Sequence, residues 1–406
     1  MARPLEGIRI ADFSHVMAGP FASHFLALMG ADVVKIEAPG IGDPMRNYGA
    51  DRRYDGMAPA FIAANCGKRS IVLDLKQPGA LDVAKRLIRS SDVVLENFRP
   101  GVMERLGLGY EACRALRADI IFCSVSGYGQ SGPMRDYPAI DNIVQATSGM
   151  MSVNGDPDGP FMRIGFPAVD TYTGTLAAMS ILGALLRRAQ CGEGQRIDVA
   201  MLDAAMVLTA TAIVPHLVTG QALPRTGNVG FSGQPTAGVF TAKDGASISL
   251  GVVQPVQFER LCDVLRRKDL LTHPDFQTPD LRRRNAAALC AVLAPEFAKR
   301  DGAEWERTLS EAGAPCGLVR TIAEAVAMPN LGERGVVTPL HIAGLAEKED
   351  VAAIGAGWTT SSDGPRIDGP PPRLGEHSRT VLRELGYGDA EADALINAGA
   401  VREGGR

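Results

Sequence analysis

The chain has 406 residues, 42 Lys and Arg against 46 Asp and Glu, and a net charge of -4. A general nucleic-acid binder needs a basic surface to displace counterions, so no nucleic-acid partner is expected. Apolar residues at 46% and charged residues at 22% exclude a mainly disordered chain. Glycine is in excess, with 46 residues and no collagen-like period. That excess belongs in turns and where backbone approaches a ligand.

The longest apolar stretches, 176–186 and 204–215, are shorter than the ~20 residues a spanning helix needs. They read as buried helices, and no membrane association is expected. The N-terminus, Met1-Ala2-Arg3-Pro4-Leu5-Glu6, carries no apolar signal region. Seven cysteines form no C-x-x-C pair and read as reduced thiols, so a cytoplasmic location is expected. Six scattered histidines without H-E-x-x-H give no metal site.

In chain order, 7–13 reads as a strand and 20–29 as a helix, with Pro20 in its first turn and Gly30 at its stop. Strands follow at 32–37 (DVVKIE), 70–75, 92–96 and 119–125, with a helix over 78–89. Short apolar runs separated by amphipathic helices imply buried parallel strands with crossovers. Residues 39–59 carry no period and read as a long loop over the sheet. A helix over 173–188 is apolar nearly all round, so it is buried in the core or at a subunit interface, and a second is expected over 202–217. From 239 the texture changes. A hairpin over 239–250 turns at Asp244-Gly245, and helices follow over 256–265, 282–299 and 303–312. Residues 315–319 read as a return strand, 365–372 as a proline-rich connection, and 378–385 as a last helix.

The first strand-to-helix turn, Ser14-His15-Val16-Met17-Ala18-Gly19-Pro20, lacks the G-x-G-x-x-G of a dinucleotide site. Glu37 alone does not replace it, so an NAD enzyme is disfavoured. The turn still leads into a helix N-terminus, which favours an anion. Taken alone, His15 reads as a capping or packing residue. Lys35, Lys68, Arg69, Lys76, Arg99 and Arg105 recur near the strand ends where ligands of open α/β sheets bind, although for any one of them simple solvation is the usual case. Asn97-Phe98-Arg99-Pro100-Gly101 puts an amide, a ring and a guanidinium in one loop after a strand. Residues 126–133 form a glycine-spaced loop that reads as a turn or as a close approach to a ligand. Asp170 stands just before the apolar helix. Asp is a favoured N-cap, worth about 1 kcal/mol, and spacing alone favours that role over a nucleophile.

Together these motifs resemble the class III CoA-transferases, of the formyl-CoA and carnitine CoA-transferase type. The likeness starts at Pro4-Leu5-Glu6-Gly7 and runs through 12–20, 30–37 and Asn65-Cys66-Gly67-Lys68-Arg69-Ser70. It continues through 94–101 and Gly192-Glu193-Gly194-Gln195 to Leu374-Gly375-Glu376-His377. The resemblance implies an α/β fold with a Rossmann-like, open parallel-sheet large domain built from both chain ends. Residues 1–220 and 326–406 form it, and 221–325 make a small inserted α+β domain. Two such chains interlock as a homodimer in this family. It further implies Asp170 as a nucleophile that forms an anhydride and then a CoA thioester. CoA contacts are implied at His15, Ala18, Lys76, Asn97, Phe98, Arg105 and Met201. CoA is then substrate and product, with no tightly bound cofactor, and the partners are an acyl-CoA and a carboxylic acid.

The acid pocket maps onto Met17, Ile140 and a loop with Gly230, Gly233 and Gln234. Some relatives have glutamine at Met17 and arginine at Ala38, and the loop lacks the run of glycines of the formyl-CoA enzyme. The rival inside the fold is α-methylacyl-CoA racemase, which needs a histidine and a glutamate as proton carriers. Here Ile140 and Gln254 stand in those places, and neither moves a proton at neutral pH. A non-catalytic acyl-CoA-binding protein is the other alternative, and Asp170 argues against it. Arg163, Arg225 and the group Arg46, Arg52 and Arg53 are candidates to hold a second carboxylate, favouring succinyl-CoA or another dicarboxylyl-CoA as donor.

Overall fold

The computed structural model describes residues 3–49, 54–345 and 348–404. They fall into two compact units. One draws on Met1–Met150, Arg163–Gly220 and Pro329–Arg406, the other on Met151–Met162 and Gln221–Met328.

The first unit is built on a seven-stranded sheet. Its strands are β1 (Arg9–Asp12), β2 (Asp32–Glu37), β3 (Arg69–Leu73), β4 (Val93–Glu96), β5 (Ile121–Ser126), β6 (Gln195–Ala200) and β7 (Val401–Arg402). Their order is β7-β3-β2-β1-β4-β5-β6, and every pairing is parallel except β7 with β3. Its main helices are α1 (Ala18–Leu28), α2 (Pro78–Arg89), α3 (Asp141–Thr147), α4 (Ala168–Cys191), α5 (Met201–Leu208) and α6 (Ala210–Thr219).

Strand residues alternate between two buried faces, as period two requires. Ile10, Val33, Val93, Leu95 and Ile121 pack with Leu26 of α1 and Ile181 of α4. Ala11, Val34, Ile71, Val94 and Phe122 pack with Val83 and Leu87 of α2 and with Val381 and Leu382. Both faces of the sheet are covered, which is why the central strands read as continuous apolar runs.

Three expectations need correction. Within the stretch read as a long loop over the sheet, residues 43–47 form a fixed turn. A 3-10 turn, Pro44–Asn47, is capped by Asp43, whose Oδ1 accepts the Met45 N–H. The buried Arg46 from that turn donates to both oxygens of Glu37, at 2.7 and 2.6 Å. The helix expected over 202–217 is broken, with α5 and α6 meeting at 77°. Thr209 makes the break. Its hydroxyl donates back to Ala205 O, and its carbonyl takes the Ala212 and Ile213 N–H groups, starting a new helix. Likewise Asn285 separates Pro279–Arg284 from Ala286–Phe297.

Helix α4 is longer than its apolar stretch suggested. At 24 residues it is long and apolar enough to cross a bilayer by length and composition. Its Ala177, Ala178, Ile181 and Ala184 side is packed into the core of the first unit.

The second unit has an antiparallel three-stranded sheet, with Ser247–Leu250 between Val239–Thr241 and Cys316–Leu318. Helices Pro255–Leu265, Ala286–Phe297 and Gly302–Glu311 close its core around Phe297 and Trp305. Residues 151–162 join this unit, outside the 221–325 span expected.

Candidate active site

The sheet order reverses at β1. From β1 the chain proceeds outward to β2 and β3, then returns to place β4 on the other side. Loops diverge at such a point and leave a crevice at the strand ends. Here two loops are tied across it. The His15 N–H donates to Asn97 Oδ1 at 2.9 Å, and Asn97 Nδ2 donates to His15 O at 2.7 Å. The His15 and Phe98 rings stand 5.3 Å apart. Beside them opens a cavity of about 570 Å³, lined by His15, Ala38, Lys76, Phe98 and Leu106 among others. Burial holds the His15 imidazole below its ordinary value, so it is neutral at pH 7.

The structure sorts the six strand-end cations into two groups. Lys35 pairs with Asp43 at 2.8 Å, Lys68 with Asp12 at 3.4 Å, and Arg69 with Asp32 and Glu384. Lys35 and Lys68 are fully buried. Burial drives the Lys68 amine down to about 7, against the opposing charge of Asp12. Lys76, Arg99 and Arg105 are exposed and make no ion pair among the described residues. Only this second group can meet a phosphate.

Asp170 sits near the start of α4. The N-cap position is Pro167, and Asp170 does not cap the helix. Asp141 does, from the first turn of α3. Its Oδ2 accepts the Val169 and Asp170 N–H groups at 2.8 and 3.1 Å. Gln145 braces it, donating to Asp141 Oδ1 at 2.5 Å while its own Oε1 accepts the Ile164 N–H at 2.8 Å. The cap reading of Asp170 is therefore corrected. No hydrogen bond holds its carboxyl among the described residues, and burial, then the charge of Asp141, pushes it up to about 7. A desolvated, basic carboxylate with unshared lone pairs is a competent nucleophile.

Gly174 lies one turn further along the same face. A Cβ there would stand 2.6 Å from Ala18 O, so α4 touches the first turn of α1. The buried Met201 packs in one cluster with Val169. Ile140 precedes Asp141 and is 63% exposed, and Met17 precedes α1. Thus Asp170, Ile140, Met201 and Ala18 gather at one end of α4, and His15, Lys76 and Phe98 line the cavity, with Asn97 bonded to the His15 backbone. Arg105 approaches Gly101 on the loop after β4.

Gly230, Gly233 and Gln234 lie in the second unit. The Gly233 N–H donates to Gly230 O, and the Gln234 amide is buried and donates to Pro279 O, so its side chain is engaged inside that unit. Gln254 opens the helix Pro255–Leu265, where Gln257 Oε1 accepts its N–H.

The proposed carboxylate anchors change as well. Arg46 is held by Glu37 and lies over the Phe61 ring, so it is not available. Arg225 stacks on Phe161 and donates to Pro157 O. Arg163 is exposed. Arg52 and Arg53 lie outside the described residues. Sequence reasoning missed Asp141, Gln145 and Asp43 as supports, because their partners are set only by the tertiary fold.

The sequence profile of CoA-transferase family III matches residues 5–378. The chain belongs to the class III CoA-transferase family. Succinate–glutarate CoA-transferase of Agrobacterium fabrum is 37% identical, over 94% of this chain and 96% of that protein. Succinyl-CoA–D-citramalate CoA-transferase of Chloroflexus aurantiacus is 33% identical over 94% of each. A solved CAIB/BAIF family protein of Brucella suis superposes with a TM-score of 0.83 at 30% identity, covering 95% of this chain and 100% of that one. The protein is therefore a CoA-transferase, with CoA thioesters as its substrates, and its mostly parallel sheet is the fold of the class III family.

Proposed function

We propose that this class III enzyme moves CoA from an acyl-CoA to a carboxylic acid through Asp170. The Asp170 carboxylate attacks the thioester carbonyl, and the C–S bond breaks to give a mixed anhydride and CoA thiolate. The thiolate attacks the aspartyl carbonyl, giving an aspartyl-CoA thioester and releasing the donor acid. The acceptor carboxylate then attacks that thioester, and the thiolate attacks the new acyl carbonyl, freeing acyl-CoA and Asp170. Keeping the thiol beside the acyl carbon makes each second step local. Water must be excluded, because the anhydride hydrolyses.

The single observation that carries the reading is the separation of roles at the start of α4. Asp141 caps the helix, which leaves the Asp170 carboxyl raised and, among the described residues, without a hydrogen bond. Lys76, Arg105, His15, Asn97 and Phe98 are the residues for CoA. The relatives' names support a dicarboxylate pair, with succinyl-CoA as donor and glutarate as an acceptor. A homodimer is supported by apolar side chains left exposed on α4 to α6, such as Met179, Leu186, Val207, Leu217 and Val218. A cytoplasmic location rests on the unpaired cysteines. Asp170→Ala tests the reading. It is expected to abolish exchange between succinyl-CoA and glutarate while CoA still binds, and turnover near the wild-type rate would end it.

A further inference from the structure

The turn between β1 and α1 carries His15 and Met17, and its centre is Val16. Val16 has φ +66°, in the left-handed region. A β-branched residue is a true outlier there and stays only where its surroundings impose the conformation.

Those surroundings are specific. Asp43 Oδ1 accepts the Val16 N–H at 3.1 Å and shares this with the Met45 N–H at 2.9 Å. Asp43 Oδ2 lies 2.8 Å from Lys35 Nζ, an ion pair rather than an aligned hydrogen bond. Lys35 Nζ in turn donates to Ser14 O at 2.7 Å. Both side chains are fully buried. Lys35 also faces Asp12 directly across the β1–β2 pairing. So the residues on either side of His15 are each held by one member of a buried ion pair. Gly42, Asp43 and Pro44 also form part of the wall of the cavity that His15 lines. One carboxylate thus joins the wall of the cavity to the turn that reaches toward α4.

We infer that Asp43 is a positioning residue for the transfer reaction, holding Val16 left-handed so that His15 is set against the cavity and Ala18, at the start of α1, against α4 near Asp170. This rests on CoA transfer through Asp170. Asp43 touches no reacting atom. Its loss lets Val16 relax toward negative φ and moves the turn, and a displacement of about 1 Å at such a site costs on the order of a hundredfold in rate.

The test compares Asp43→Ala and Asp43→Asn with and without Val16→Gly, using succinyl-CoA and glutarate. Glycine takes φ +66° at no steric cost, so it removes the need for the clamp. Each Asp43 variant is expected to lose about 10- to 100-fold in kcat, with KM for succinyl-CoA changed less than about threefold. Adding Val16→Gly is expected to recover at least about threefold of kcat. Near-wild-type kcat in both Asp43 variants would overturn the inference. So would equal losses in kcat and CoA affinity that Val16→Gly does not rescue. Failure of both variants to fold would make Asp43 a stability residue and equally overturn it. If the wild type itself transfers no CoA, it is the reading beneath the inference that fails.

Discussion

Asp141 Oδ2 accepts the backbone N–H of Asp170 at 3.1 Å, and that of Val169 at 2.8 Å. One carboxylate caps α4, and the other makes no hydrogen bond among the described residues. The arrangement also places two like charges together, which adds to burial in raising Asp170.

This sets a pH dependence. The proposed transfer through Asp170 requires its carboxyl to be ionised, and that carboxyl is raised to about 7. For the free enzyme, kcat/KM is expected to rise with pH through about 7 and level off above it. Asp141→Asn removes the like charge and keeps an acceptor for the two N–H groups, so the acid limb moves to lower pH. Asp141→Ala also removes the cap, costing about 1–2 kcal/mol in a denaturant melt. An unmoved limb in Asp141→Asn would show that the coupling is absent.

The same shift has a sign in stability. Asp170 has a folded value of about 7 against 3.8 for the unfolded chain. The unfolded state therefore gives up this proton first. Stability from this group is fully present below the unfolded value and lost as pH rises through the folded one. Asp170→Asn is expected to raise Tm, with a gain that grows from about pH 4 to about pH 7 and is flat above. A gain independent of pH would point to packing instead.

The sorting of the cations predicts two kinds of variant. Lys76→Ala is expected to weaken CoA about tenfold, more at low salt, with Tm nearly unchanged. Lys35→Met leaves Asp43 buried and unpaired and should destabilise by about 3–5 kcal/mol. Isothermal titration and thermal melts on both variants separate these effects.

Close packing of α4 on α1 gives a steric prediction. A Cβ at Gly174 meets Ala18 O at 2.6 Å and Phe21 Cβ at 3.1 Å, so backbone must shift. Gly174→Ala is expected to cost about 1–3 kcal/mol and to lower kcat, since Asp170 is one turn away. Unchanged Tm and kcat would contradict that contact.

Much of the sheet was legible because buried parallel strands are short apolar runs, as at Asp32–Glu37 and Val93–Glu96. The edge strand β6 was not, since Gln195, Arg196 and Asp198 interrupt its apolar pattern. Nor was the helix Asp389–Asn397, whose acidic and alanine-rich sequence shows little amphipathic contrast. Asp170 could be singled out by its place before an apolar helix, yet its cap lies 29 residues earlier on another helix. Arg46 reads as a free cation until the fold brings it onto Glu37. Which charges are structural and which are free depends on such tertiary partners, so residue type alone did not separate them.

The most direct measurement is peptide mass mapping after turnover with succinyl-CoA and glutarate in the presence of hydroxylamine. An aspartyl anhydride or thioester reacts with it to leave a hydroxamate on the protein. That modification is expected on the peptide containing Asp170, only when acyl-CoA is present. Continued turnover with several donors and an unmodified Asp170 would contradict it.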